Sequence, residues 1–212
     1  MKKVSLVALL LATTVVTAAS AGETLVPGCP KAFQGFGLKG IVAYDIGTGR
    51  LKDNAGNKAH IGFRGFAGGV GVDYTYRFGN WATAIGFDSL WASSNGKHTE
   101  GNVRGRNFLQ LYAKQGYVIC GQVQPFVALG WENSAWRASG PVVDEDGNEV
   151  TRSKSKRVNG FLWKAGVDFL LTKHLVGGIE YTGSIANAKF RNTDIRFRPQ
   201  NNTIALTLKV VY

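Results

Sequence analysis

The sequence predicts an all-β chain that closes into an eight-stranded antiparallel up-and-down transmembrane β-barrel. Three observations predict it. Apolar residues recur at every second position in segments of about ten, the period and length of a membrane-crossing strand. Short turns alternate with long polar connections along the chain. The other parity of the same segments carries lysines, carboxylates and glycines.

The chain has 212 residues, of which 44% are hydrophobic and 28 are glycine, with a formal charge of +11. Residues 1–21 read as a secretory signal peptide. Met1-Lys2-Lys3 is a basic start, Val4 to Val16 an apolar run, and Ala19-Ser20-Ala21 a small-residue cleavage site. Cleavage removes two of the lysines and leaves residues 22–212 as one barrel domain. Beyond the leader no apolar run approaches the roughly 20 residues of a spanning helix, so any crossing must be made by strands.

The first strand is expected at Phe36–Ile46, with Phe36, Leu38, Val42 and Tyr44 on its apolar parity. Phe66–Phe78 follows, with Val70, Val72, Tyr74, Tyr76 and Phe78, and then Trp81–Ser93, with Ile85, Phe87 and Trp91. The fourth and fifth strands are Asn107–Ile119 and Val123–Trp136, with Leu109, Leu111, Tyr117, Val127, Leu129 and Trp131 outward. The sixth is Gly160–Leu171, where Phe161, Trp163, Val167 and Phe169 alternate, and the seventh is Leu175–Ala186. The last strand ends N-N-T-I-A-L-T-L-K-V-V-Y, with Ile204, Leu206, Leu208, Val210 and Tyr212 on one face. Three turns are short, at residues 78–80, 120–122 and 172–174. Four connections are polar and long, at residues 47–60, 95–106, 138–157 and 189–198.

The inward parity brings together Lys39, Asp73, Arg77, Asp88, Lys114, Glu132, Lys164, Asp168, Glu180 and Lys209. A ring of eight strands leaves a lumen that side chains fill, and buried ions there must pair. A salt-bridged plug is therefore expected, with Lys114 and Lys164 contacting carboxylates drawn from Glu132, Asp168, Glu180 and Asp88. A conducting pore would need a wider ring.

Four segments carry a resemblance to a known family: F-Q-G-F-G-L-K-G-I-V-A-Y-D in the first strand, L-Q-L-Y-A-K-Q-G-Y at Leu109–Tyr117, K-A-G-V-D-F at Lys164–Phe169 and G-G-I-E-Y at Gly177–Tyr181. Through them the whole domain resembles the OmpA-like and opacity-type barrels of Gram-negative outer membranes. The resemblance implies an integral outer-membrane protein with both termini in the periplasm and no cofactor. It implies lipid and lipopolysaccharide as surroundings, and assembly by the barrel-assembly machinery through the strand ending in Tyr212. A non-enzymatic role in envelope integrity, with adhesion to host glycans through basic loops, is the expected function. A narrow pore or a lipid A-modifying enzyme is the alternative. Nucleic acid is not an expected partner.

Several sites were weighed from residue chemistry. Arg104, Arg106, Arg191, Arg196 and Arg198 lie in the polar connections, and the planar fork of arginine suits phosphate or sulfate. Cys29 and Cys120 both fall on the expected periplasmic side, where a disulfide would persist. His60, His98 and His174 have no metal-ligand spacing, and no histidine accompanies Ser184 in a nucleophile pattern. The acidic run from Asp144 to Glu149 lacks the ligand order of a calcium loop. No catalytic or metal residue is therefore expected.

Overall fold

The computed structural model describes residues 33–52, 58–98, 101–143, 149–186, 188–189 and 196–212. Residues 1–21, where a signal peptide is expected, Cys29, Arg191 and the acidic run at 144–148 lie outside them.

Eight long strands form the wall: β1 (Gly35–Lys52), β2 (Lys58–Phe78), β3 (Trp81–Ala92), β5 (Gly101–Tyr117), β6 (Val123–Val143), β7 (Glu149–Leu170), β8 (Leu175–Ala186) and β10 (Arg196–Val211). Two short pieces, β4 (Asn95–His98) and β9 (Ala188–Lys189), extend the wall at one end. Each long strand pairs antiparallel with its sequence neighbours, and β1 pairs with both β2 and β10, so the sheet closes on itself. Closure leaves no edge in the membrane-crossing part, where an unpaired backbone group would have no water to bond. The seam is tied at its foot by Tyr212 N–H to the Phe36 carbonyl at 2.9 Å and by the reverse bond at 3.2 Å.

Alternation sets the two faces. Outward positions hold Phe36, Leu38, Val72, Ile85, Leu111, Val127, Phe161, Ile179 and Leu206, all exposed. Aromatic pairs gather where this band ends. Trp81 and Tyr117 meet edge to face at 5.1 Å near the short turns, as do Tyr44 and Phe66 at 5.1 Å farther up. Such girdles mark the two interfaces of an outer-membrane barrel.

The lengths of the connections differ from expectation. Much of what reads as loop is strand: β1 continues to Lys52, β2 begins at Lys58, β6 reaches Val143 and β7 starts at Glu149. The reason is physical. Above the bilayer the outward side chains face water, so the apolar alternation stops while the backbone ladder continues. The short turns are as expected, and Gly79 and Gly121 sit at positive φ within two of them.

Candidate functional site

The lumen is built in layers. At the short-turn end an apolar lid of Phe33, Val118, Leu170, Val176 and Val211 closes the barrel. Above it lie four lysines and four carboxylates, all buried. Lys209 Nζ donates to Asp73 at 3.2 Å, and Lys114 Nζ to Asp168 at 2.5 Å. Lys39 Nζ stands 2.9 Å from Asp88 and donates to the Tyr112 hydroxyl at 3.0 Å. Lys164 Nζ bridges Asp88 at 2.7 Å and Glu180 at 2.8 Å. These charges come from seven strands: β1, β2, β3, β5, β7, β8 and β10. The inward glycines make the room. A Cβ on Gly71 would strike the Asp88 carboxylate, one on Gly37 would strike Asp73, and one on Gly86 would strike the Tyr112 ring. The small cavity left among Lys39, Lys114, Lys209, Asp73 and Asp168 has room for about one water.

Two expected members also take partners of other kinds. Arg77 turns toward the short-turn end, where its Nε donates to the Gly79 carbonyl at 2.8 Å. Glu132 meets no cation among the described residues. It accepts instead from Gln110 Nε2 at 2.9 Å and Ser184 Oγ at 3.0 Å. Above these, Phe63, Phe108 and Trp136 pack edge to face, at 4.8 Å for Phe63–Trp136 and 5.9 Å for Phe108–Trp136, within an apolar cluster that fills the upper lumen.

The outer wall changes character above the apolar band. Arg50, Arg64, Arg104, Arg106, Arg157 and Arg198 are exposed there on the outward parity. In the strand register Arg50 lies opposite Arg198, and Arg104 opposite Arg137. On β5 this depends on an irregularity. The register shifts between Gly105 and Phe108, so Arg106 and Asn107 are both exposed and the parity reverses above them. An unbroken strand would have turned Arg104 and Arg106 into the lumen. Arg157 Nη1 donates to Asn133 Oδ1 at 2.8 Å. The side chain of Arg196 lies outside the described residues.

A family model, that of the outer membrane protein beta-barrel domain, matches residues 6–210. The chain belongs to this family. It is a Gram-negative outer-membrane protein, with the short turns on the periplasmic side. The chain is also similar to solved outer-membrane proteins. Ail, the attachment invasion locus protein of Yersinia pestis, is 14% identical with a TM-score of 0.38, covering 82% of this chain and 99% of Ail. OprG from Pseudomonas aeruginosa is 12% identical with a TM-score of 0.48, covering 84% and 97%. The outer membrane protease OmpT from Escherichia coli is 10% identical with a TM-score of 0.51, covering 90% and 99%. At 10% identity the likeness to OmpT is one of fold alone. No curated relative matches the sequence.

In this outer-membrane barrel Cys120 is exposed in a periplasmic turn and has no disulfide partner among the described residues, while Cys29, its expected partner, lies outside them. Ser184 points into the lumen at Glu132 rather than toward a membrane rim. His60 is exposed on the upper part of β2, while His174 Nδ1 lies 3.1 Å from the Val211 carbonyl in a periplasmic turn. Sequence reasoning passed over Asp45, Gln110, Tyr112 and Gln124, which are all buried in the lumen. Their signal was present, since each falls on the inward parity of its strand. Polar residues without a formal charge, and a carboxylate at a strand's end, drew no notice.

Proposed function

We propose that this outer-membrane barrel is a non-enzymatic surface protein that grips lipopolysaccharide phosphates with its arginine belt and so supports envelope integrity. The observation that carries the reading is the belt itself. Exposed arginines stand immediately above the apolar band, at the height where the outer leaflet places its phosphates. Like charges directly opposite on neighbouring strands destabilise a sheet. The Arg50–Arg198 and Arg104–Arg137 oppositions therefore favour an anion between them. Lysine–carboxylate pairs cross the lower lumen and an apolar cluster fills the upper lumen, which supports a closed barrel in preference to a pore.

A second reading, adhesion, draws on the β6–β7 hairpin. It runs as a paired ribbon to Val143 and Glu149, and its sequence beyond residue 150 carries Arg152, Lys154, Lys156 and Arg157. A basic ribbon of this kind suits an anionic glycan outside the cell.

Retention of the folded barrel on immobilised lipopolysaccharide tests the first reading. Binding by exposed charges should weaken as the screening length shrinks from about 10 Å at about 0.1 M salt to about 3 Å at about 1 M. It should weaken again when Arg50, Arg104, Arg106 and Arg198 become Ser. Retention indifferent to both changes would end the proposal. Retention on heparin that survives the belt substitutions, and is lost when Arg152, Lys154 and Lys156 become Ser, would favour adhesion by the hairpin.

A further inference from the structure

The ionic layer of the lumen is balanced, but the polar layer above it is not. Asp45 is 1% exposed and Glu132 is 2% exposed, and neither has a cation within salt-bridge distance among the described residues. Asp45 accepts from Thr203 Oγ1 at 2.6 Å and from Ser94 Oγ at 2.8 Å. Glu132 accepts from Gln110 Nε2 and Ser184 Oγ. The two meet across the β8–β10 pairing, where Ser184, the donor to Glu132, stands opposite Asn201, two positions before Thr203, the donor to Asp45. Hydroxyl and amide donors soften the burial of a carboxylate, yet they carry no countercharge.

A second observation concerns the oxygens beside them. Gln110 donates one amide hydrogen to Glu132, and its own Oε1 has no hydrogen-bond partner among the described residues. Asn201 donates to Thr203 Oγ1 at 3.4 Å, and its Oδ1 likewise has no partner. Both residues are buried, at 2% and 6% exposure. Among the described residues the layer thus holds two carboxylates and two carboxamide oxygens without a donor, while the Ser94, Ser184 and Thr203 hydroxyls already donate to the carboxylates. It is rich in oxygen acceptors and short of anything to meet them.

We propose that this layer binds a hard cation of the calcium type inside the barrel, with Asp45 and Glu132 supplying charge and Gln110 and Asn201 supplying neutral oxygens. Calcium takes about 6–8 oxygen ligands from carboxylates, amide carbonyls and water, and tolerates irregular geometry. The chemistry of the layer matches that donor set, and waters complete the shell. No His or Cys ligand enters, which disfavours zinc. The apolar cluster around Phe63, Phe108 and Trp136 lies between this layer and the outside. A cation there is taken up as the barrel closes and afterwards exchanges slowly.

The test refolds the mature barrel in detergent, without lipopolysaccharide, in chelated buffer with or without added Ca²⁺, then desalts it and measures retained metal. The wild type refolded with Ca²⁺ should retain about one ion per chain, and D45N/E132Q should retain none. Both changes keep size and shape, and Glu132→Gln alone provides a milder variant should the double variant fold poorly. Tb³⁺ in place of Ca²⁺ should give emission sensitised by Trp136, whose Nε1 donates to Ser134 two positions along the same inward face from Glu132. That emission should disappear in E132Q. No retention by the wild type would overturn the inference. Equal retention by D45N/E132Q would overturn it too, by placing the metal elsewhere. So would a wild type whose stability follows pH alone and ignores Ca²⁺, because protons would then be what neutralises the layer. The lipopolysaccharide reading is untouched by any of these outcomes, since the arginine belt is unchanged in every variant.

Discussion

The outer wall and the lumen are made by the same strands, one residue apart, yet they obey different rules. On β7, Trp163 and Val167 face lipid, while Lys164 and Asp168 face inward. The outer wall asks only for an apolar class of side chain, because fluid acyl chains adapt to whatever shape is offered. The lumen asks for particular partners. Lys164 is useful because Asp88 and Glu180 reach it from β3 and β8, and Gly71 leaves space for that Asp88. Alternation is therefore enough to specify a wall, but a plug needs pairwise agreement between strands distant in sequence.

The largest effect should come from breaking such an agreement. Lys114 and Asp168 form a two-membered pair, with the lysine ammonium also 3.8 Å from the centre of the Phe126 ring. Lys114→Met keeps the length of the side chain and leaves Asp168 buried without its cation. A loss of about 3–5 kcal/mol is expected in urea unfolding from vesicles. Asp168→Leu added to it removes the stranded charge, and most of the loss should return. If K114M costs nothing, the plug is not held by its ions. If the double variant is worse than the single, packing rather than charge governs this layer.

The outer wall is broken differently, by class. Leu206 is 61% exposed in the middle of the lipid face of β10, between Ile204 and Leu208. Leu206→Arg should cost about 2–4 kcal/mol at the bilayer midplane. Refolding into vesicles measures it, and a refolding yield and urea midpoint equal to the parent's would mean that this face does not meet lipid. Exchanges within the apolar class at the same position should be nearly silent.

The same contrast explains what could be read before the structure. Parity was legible throughout, because one face of every strand must suit lipid. The ions Lys39, Asp88, Lys114, Lys164, Asp168 and Glu180 could be placed inward on that basis. Their pairing could be only partly anticipated. Which lysine meets which carboxylate depends on the stagger of the strands around the ring, and no local pattern encodes it. Glu132 was expected to be a partner for a lysine and instead takes neutral donors. The shift between Gly105 and Phe108 was invisible for a related reason, since one extra residue in a polar stretch leaves no trace once the apolar rhythm has stopped. The extracellular continuation of the strands was missed because water on the outside removes the signal that marks a strand inside the membrane.

The smallest effect sharpens the comparison most, because it applies one chemical change to both faces. Leu129 and Leu162 sit on neighbouring strands one register step apart, since Leu129 pairs with Trp163 and Gly130 with Leu162. Leu129 is 59% exposed on the wall, whereas Leu162 is 0% exposed in the lumen beside Tyr112 and Ala128. Truncating either to Ala removes the same atoms from an apolar environment. In the lumen it also leaves a hole that rigid neighbours fill only in part, so Leu162→Ala should cost about 2–5 kcal/mol. On the wall, acyl chains flow into the space and the cavity contribution vanishes. What remains is transfer from water, about 0.8 kcal/mol for each methylene withdrawn from it, and Leu129 withdraws only part of its surface into the protein and the rest into lipid. Leu129→Ala should therefore cost about 1–2 kcal/mol. Urea titrations of the two variants in the same vesicles give the difference directly, and it reports the cavity alone. Equal losses would mean that lipid packs against this barrel as tightly as the lumen packs against itself, and the distinction between class and partner would fail at the point where it is most exposed.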